Sequence, residues 1–352
     1  MYAMNRWYVA AFAWELQDKP VARTLLNRPV VLFRTRNGQV AALEDRCCHR
    51  SLPLSCGTVE QAGIRCGYHG LLYEPGGQCI EIPGQKVIPA KARVVSYRVV
   101  ERNQIIWIWM SEEAGSGPGF KAGAEPDSES DSEPPEISAH DDPRYKYGGG
   151  VFHYDAPYQL IHDNLLDLSH LGYVHARTIG GNPKLHMAAP TKVESAGEQV
   201  RVVRWLKDSE PPATYAAAWP FKGRIDRWQE IDFQVSYLAI WTGAVDVDSE
   251  SLDDPGRGGF HMRGFHGITP ETETTTHYFW TLASNAHPDR PDVSEMVCRQ
   301  TEMTFEEDRL IIEAQHRNIC RFGSQHGLDI HVDAGPNRAR RIIERLTSRE
   351  PG

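Results

Sequence analysis

The sequence predicts an α+β protein of two domains, an all-β N-terminal third followed by a larger part in which an antiparallel sheet is joined by helices. Three observations carry that expectation. Short apolar runs punctuated by turn residues fill the first 110 residues, a stretch rich in Gly, Pro, Ser and acid interrupts the chain at 115–143, and helical periodicity closes the chain. At 352 residues the chain is long enough for two apolar cores.

Taken in order, Val30–Thr35 and Val40–Glu44 flank a turn containing Asn37-Gly38, and Tyr97–Glu101 faces Ile105–Met110 across Arg102-Asn103. Both read as β-hairpins. From Ser116 to Asp142 eight acids stand against Lys121 alone, with almost nothing apolar to bury. That segment predicts a solvated linker or disordered loop, dividing domain 1–114 from domain 144–352. Beyond it come a strand (Val151–Ala156), a helical stretch (Tyr158–Leu171), and β-rich segments at Arg201–Trp205, Trp228–Trp241, Phe260–Thr269 and His277–Ala283. Two helices follow, Val293–Asn318 and Pro336–Leu346.

Composition excludes several classes of function. The net charge of −9 arises from 47 acids against 38 bases, and much of the excess lies in the linker. Neither nucleic acid nor an anionic membrane is an expected partner. Met1 to Leu16 lacks a basic region followed by an apolar one, and no run approaches the ~20 apolar residues that cross a bilayer, so a cytoplasmic location is expected. Seven cysteines, an odd number, point to metal ligands and spare thiols over a disulfide framework.

Two constellations carry chemistry. The first is Cys47-Cys48-His49 with Cys66-Gly67-Tyr68-His69, a C-x-H and a C-x-x-H pair, each expected on a loop at the tip of a hairpin. Two thiolates and two imidazoles suit a closed tetrahedral Zn²⁺ site, or a [2Fe–2S] cluster with two Cys on one iron and two His on the other. Pro53, Gly57, Gly67 and Gly70 favour the cluster, because glycines let main-chain amides approach bridging sulfides. The run Cys47 to Gly70, with Gly76-Gly77 and Cys79 beyond it, resembles the cluster-binding loops of Rieske proteins. That resemblance implies that Cys47 and Cys66 hold the inner iron, His49 and His69 the outer one. Cys48, Cys56, Cys79, Cys298 and Cys320 match no ligand position.

The second constellation is Asn164-Leu-Leu-Asp167-Leu-Ser-His170 followed by His175. Asn164, Asp167 and His170 form one stripe of a helix, whereas His175 lies about 140° away from His170 around a regular helix. Both imidazoles can face one metal only if the helix ends or bulges between them, which Gly172 would make cheap. A helix surface with two incidental histidines is the plainer account of H-x4-H alone. Downstream of a Rieske motif, however, N-x-x-D-x-x-H-x4-H resembles the mononuclear-iron signature of Rieske oxygenases. A facial triad needs one further carboxylate. Glu306, Glu307 and Asp308 are the candidates, and resemblance to the family's F-x-E-D segment favours Asp308 over Glu307.

Further matches extend over nearly the whole chain. Trp7-Tyr8-Val9-Ala10, Glu81-Ile82-Pro83-Gly84-Gln85, Tyr147-Gly148-Gly149-Gly150, Arg227-Trp228-Gln229, Thr269-Pro270-Glu271-Thr272 and Asp333-Ala334-Gly335 resemble the branch typified by vanillate O-demethylase. The resemblance implies a Rieske domain plus a helix-grip catalytic domain, and an oxygenase (α) component that hydroxylates or O-demethylates a small aromatic such as a methoxy- or methyl-benzoate. It implies O₂ as co-substrate, mononuclear Fe(II), and NAD(P)H electrons delivered by a separate flavin and iron–sulfur reductase, for which this chain has no nucleotide fingerprint. It further implies a homotrimer in which Asp167 hydrogen-bonds His69 of a neighbouring subunit, since the two metal centres of one chain lie too far apart for fast transfer. Asn164 is then expected near the iron, and His266 where some relatives place a histidine that meets the substrate carboxylate. A hydrogen-bonded structural histidine is the competing account of His266. Two other readings remain at this stage: a Rieske electron carrier, and a zinc-stabilised ligand-binding protein without redox chemistry.

Overall fold

The computed structural model describes residues 1–112, 133–285, 287, 289–323 and 327–348. The predicted acidic linker therefore lies largely outside the described residues. Its described end carries a 3₁₀ turn at Ser138–His140, while Glu133 and Glu136 pair with Arg102. Two compact units emerge, one comprising 2–136 with 269–273, the other 137–268 with 274–352.

The first unit is all-β. Among the described residues its three antiparallel sheets run Arg6–Phe12, Ile105–Met110, Val99–Arg102; then Val21–Leu25, Arg28–Arg34, Val40–Glu44, Ser96–Tyr97; then Thr58–Val59, Ile64–Arg65, Leu72–Tyr73, Cys79–Glu81. The hairpin predicted around Asn37-Gly38 forms with Arg34 opposite Val40, and Gly38 takes the positive φ that its turn demands. In the second predicted hairpin the turn sits one residue later than expected. Asn103 and Gln104 hold the two positive φ angles, and Tyr97 leaves the hairpin to pair with Ala42. The segment 269–273 closes this unit: Thr269 Oγ1 donates to the Val9 carbonyl, and the amides of Leu26 and Asn27 donate to the Pro270 and Glu271 carbonyls.

The second unit is a seven-stranded antiparallel sheet in the order Tyr145–Tyr154, Thr276–Asn285, Phe260–Pro270, Tyr237–Asp246, Ile225–Gln234, Gln199–Ser209, Thr191–Ala196. The β-rich stretch Trp228–Trp241 resolves into two strands turning at Val235-Ser236. Among the described residues six helices accompany the sheet: α1 (Tyr158–Leu166), α2 (Leu171–Val174), α3 (Pro183–Ala188), α4 (Ala213–Ala218), α5 (Val293–Phe322) and α6 (Ala334–Thr347). On α5 the residues Thr301, Thr304, Phe305, Asp308 and Ile312 form one buried face at i, i+3, i+4, i+7 spacing, which seats an acid among apolar neighbours.

The predicted helix Tyr158–Leu171 is corrected. Helix α1 stops at Leu166, because Asp167 leaves helical geometry (φ −118, ψ 94) and accepts hydrogen bonds from Ser169 N and Oγ, capping a 3₁₀ turn over Leu168–His170. Asn164, Asp167 and His170 therefore do not share one regular helix. The break falls before His170, not at Gly172. Gly172 has a different job, since a Cβ there would come within 2.3 Å of the Pro183 Cα.

Candidate metal centres

The first centre is built on two loops with the same internal frame. Cys47 N–H donates to the Leu52 carbonyl at 2.9 Å and Ser51 N–H to the Cys47 carbonyl at 2.9 Å; Cys66 N–H donates to Leu71 at 2.8 Å and Gly70 N–H to Cys66 at 3.1 Å. Each loop turns back through a positive φ four residues after its cysteine, at Ser51 and Gly70. The Cys66 loop tips the hairpin of Ile64–Arg65 and Leu72–Tyr73, as expected. The Cys47 loop does not tip a hairpin; it links the Val40–Glu44 strand to a 3₁₀ turn at Leu54–Cys56 and is tied by Asp45, which accepts from Ser55 N and Oγ. Arg65 braces the second loop through the Gly70 carbonyl and pairs with Glu60 and Glu81.

These loops put the two sulfurs inside and the two imidazoles outside. Cys47 and Cys66 belong to an apolar cluster with Phe33, Leu43, Leu54, Ile64 and Tyr73. His49 and His69 are exposed, their ring centroids 4.5 Å apart. Burial pushes the Cys66 thiol up, against main-chain N–H groups of Tyr68 and His69 that point at its sulfur. Buried sulfurs, outward imidazoles and amides aimed at sulfur fit a [2Fe–2S] cluster. Cys48, Cys56 and Cys320 are exposed, and Cys79 and Cys298 are packed thiols.

The second centre comes together from three elements. His170 ends the 3₁₀ turn, His175 caps α2, and Asp308 projects from α5; their ligand atoms lie within 4.8 Å of one another. His175 Nε2 lies 3.1 Å and His170 Nε2 3.5 Å from the same carboxylate oxygen of Asp308, to which Asn164 Nδ2 donates at 3.1 Å. The opposite nitrogen of each ring is occupied. His170 Nδ1 donates to the Asp167 carbonyl at 2.6 Å, and His175 Nδ1 to Glu307 at 2.7 Å. With Nδ1 carrying the proton, both Nε2 lone pairs face a carboxylate. Three lone-pair donors converging in a buried site fit a cation with further positions open. Burial alone would raise the Asp308 carboxyl, but when the two imidazoles are protonated their hydrogen bonds and charge overcome it and hold the group below the usual carboxylate range.

A cavity of about 80 Å³ opens beside the triad, walled by Leu165, Ile179, Ile240, Met262, Leu282 and Phe305. His266 enters it from the Phe260–Pro270 strand. Tyr278 OH lies 2.7 Å from His266 Nδ1 and its ring stacks on the imidazole. Burial lowers the His266 pKa to about 3, so the ring is neutral, and it carries its proton on Nε2 when Tyr278 donates to Nδ1. A Cβ at Gly264 would come within 2.7 Å of that Nε2, so the glycine keeps the donor clear. Larger hollows of about 700 and 490 Å³ in the same unit are lined by charged residues and contain none of the triad.

Sequence reading placed Asn164, His170, His175, His266 and Asp308 as candidates, and all five line this cavity. Glu307, the rival ligand, instead holds the far side of His175. Missed were Tyr278 and the inward-facing Ile240, Thr242 and Met262; alternation along the strands would have found the last three once one inward residue was known.

Residues 6–97 match the family model of the Rieske [2Fe–2S] domain, and residues 154–349 that of the vanillate O-demethylase oxygenase C-terminal domain. The chain belongs to the vanillate O-demethylase group of Rieske oxygenases. A putative toluene-4-sulfonate monooxygenase system iron–sulfur subunit from Comamonas testosteroni is 38% identical over 100% of this oxygenase and 99% of the relative. The vanillate O-demethylase oxygenase subunit of a Pseudomonas strain is 34% identical over 99% and 96%. The crystal structure of dicamba monooxygenase with non-heme iron and dicamba superposes with a TM-score of 0.77 at 30% identity, covering 98% of this chain and 97% of that one. The cofactors of this oxygenase are a Rieske [2Fe–2S] cluster and a mononuclear non-haem iron. The zinc-stabilised and pure electron-carrier readings are thereby set aside.

Proposed function

We propose that this oxygenase hydroxylates or O-demethylates a single-ring aromatic, a methoxy- or methyl-substituted benzoate, with electrons from a separate NAD(P)H-dependent flavin and iron–sulfur reductase. In this reading Cys47 and Cys66 hold the inner iron of the cluster and His49 and His69 the outer one. His170, His175 and Asp308 hold the mononuclear iron; Asn164 steadies the carboxylate and Glu307 fixes the His175 tautomer. Asp167 bridges to His69 of a neighbouring subunit in a cytoplasmic ring of three.

The observation that carries this is the triad beside an apolar cavity whose polar contacts are few. When bound, the two metal groups supply the electrons and O₂ activation. The apolar walls exclude water and present a substrate methyl, while His266 Nε2–H donates to the substrate's polar substituent and sets its orientation. Oxygen inserted into a methoxy C–H gives a hemiacetal that collapses to a phenol and formaldehyde, O₂ and two electrons with two protons being balanced by one water.

The test is oxygen uptake by the purified protein with a surrogate reductase across methoxy- and methyl-benzoates, with formaldehyde and hydroxylated product quantified. Stoichiometric product from at least one member is expected. Oxygen consumption that yields peroxide alone with every member would overturn the substrate class.

A further inference from the structure

Arg227, on the Ile225–Gln234 strand, is buried with no carboxylate paired to it among the described residues. Its guanidinium meets main chain and one ring instead. Nη1 donates to the Gly180 carbonyl and Nη2 to the Ile179 carbonyl, each at 3.0 Å, and Cζ lies 4.7 Å from the centre of the Tyr215 ring on α4. A buried cation held by neutral groups costs more than an apolar side chain of similar size, so stability is not what it contributes. The two carbonyls belong to the segment that leads from His175 to α3. Thr178 N–H and Gly180 N–H both donate to the His175 carbonyl at 3.0 Å. A Cβ on Gly180 would come within 2.2 Å of the Leu171 carbonyl oxygen, so the segment lies close against α2. His186, fully buried on α3, donates from Nε2 to the same Gly180 carbonyl at 2.7 Å, and its own carbonyl accepts from Arg204. Ile179, held by these ties, is part of the wall of the cavity that contains His170, His175 and Asp308.

We propose that Arg227 is a positioning residue for substrate selection: by fixing the Ile179 and Gly180 carbonyls it holds Ile179 against the iron triad and keeps the cavity small. The proposal rests on the reading of that cavity as the substrate pocket. A rigid fork of two N–H groups reaches two successive carbonyls at once, whereas a lysine ammonium offers a single point. A wall residue on a segment tied in this way cannot withdraw from a larger ligand; on a released segment it can. Losing the fork should therefore lower the preference for a small over a bulkier ring substituent, read as a ratio of kcat/KM values, by about tenfold, the lower end for one methylene in an apolar pocket.

The experiment compares the full-length, iron-loaded oxygenase with Arg227→Met, Arg227→Lys, Ile179→Ala and the double variant Arg227→Met with Ile179→Ala. A methoxybenzoate and the matching propoxybenzoate are competed, while iron content and amide hydrogen exchange across 176–182 are read on the resting protein. Arg227→Met is expected to keep its iron, to lower the methoxy-over-propoxy ratio about tenfold, and to speed exchange of the Gly180 amide about 10- to 100-fold. Ile179→Ala should lower the ratio as well, and the double variant should go no further, since both changes act through one side chain. Arg227→Lys should not restore the ratio. A wild-type ratio in an iron-replete Arg227→Met overturns the proposal, and so does a double variant in which the two losses multiply. Should Arg227→Met lose its iron, Arg227→Lys carries the test, and an unchanged ratio there overturns the proposal equally. Failure of the substrate reading shows separately, as a wild type that turns over neither benzoate; Gly180 exchange unchanged in Arg227→Met would then still sink the clamp.

Discussion

At the scale of single residues, the iron centre distinguishes neighbours that look interchangeable in the sequence. Glu307 and Asp308 are adjacent acids on one helix, yet a helix turns about 100° per residue, so one reaches the Nδ1 side of His175 and the other its Nε2 side. We expect Asp308→Ala to lose mononuclear iron and product formation while keeping the cluster spectrum. Glu307→Gln should retain the iron with affinity lowered about 10- to 100-fold, the range for partners of metal-ligating histidines. Metal analysis beside visible absorption checks both; iron lost from the Glu307 variant and kept in the Asp308 variant would reverse the assignment. Burial also sets charge here. His162 is fully buried on α1 against Phe233, and burial lowers its pKa to about 3. The unfolded chain takes up a proton near pH 6.5 that the folded one refuses until about 3, so the stability from a neutral His162 is complete above pH 6.5 and falls as pH falls. His186 and His266, also held near 3, act in the same direction. Between pH 7.5 and 5 the His162 contribution is about 2 kcal/mol. Denaturant titrations of His162→Phe should show a correspondingly shallower loss over that interval, and an unaltered slope would refute the assignment.

At the scale of elements, the helix break after Leu166 is what creates the site. The cap supplied by Asp167 starts a new turn at Leu168, and the short helix α2 that follows carries His170 at its start and His175 at its end, from which both reach Asp308. Helix α3 holds this segment in place. Gly172 packs against Pro183 at the start of α3 with no room for a methyl group, and the obstacle is main chain, which cannot rotate away. Gly172→Ala is expected to cost about 1–3 kcal/mol through overpacking and to reduce iron occupancy by displacing His175. Thermal unfolding together with iron content measures both effects, and a variant with native iron and native Tm would show that α3 does not position the ligand.

At the scale of the whole molecule, Asp167 serves one local and one proposed distant role. Locally its carboxylate caps the 3₁₀ turn and its carbonyl orients His170. Asp167→Asn keeps the carbonyl and a capping oxygen, so both metals and the proposed trimer should persist. Removing the charge that would hold His69 of a neighbouring subunit should slow single-turnover transfer from reduced cluster to iron by orders of magnitude. Iron loss would instead make Asp167 a ligand. Unchanged transfer in a trimer, with that step rate-limiting, would leave the bridge without support.

What the sequence determined by itself was the chemistry and the coarse architecture: the ligand types, their short-range spacing, and the α+β division. Local spacing is written in the chain, and the Cys47-x-His49 and Cys66-x-x-His69 pairs lie on short loops whose closure needs only a few residues. The tertiary structure decided what depends on distant partners. Asp308 lies 133 residues from His175; resemblance favoured it among three acids, and only the fold brings its carboxylate to the imidazole. Asp167 became a helix breaker because its carboxylate competes for the main chain, a contest that periodicity alone does not score. Tyr278 gained meaning only once folding brought its hydroxyl to His266, because a tyrosine in a buried strand reads as packing until its oxygen finds a partner.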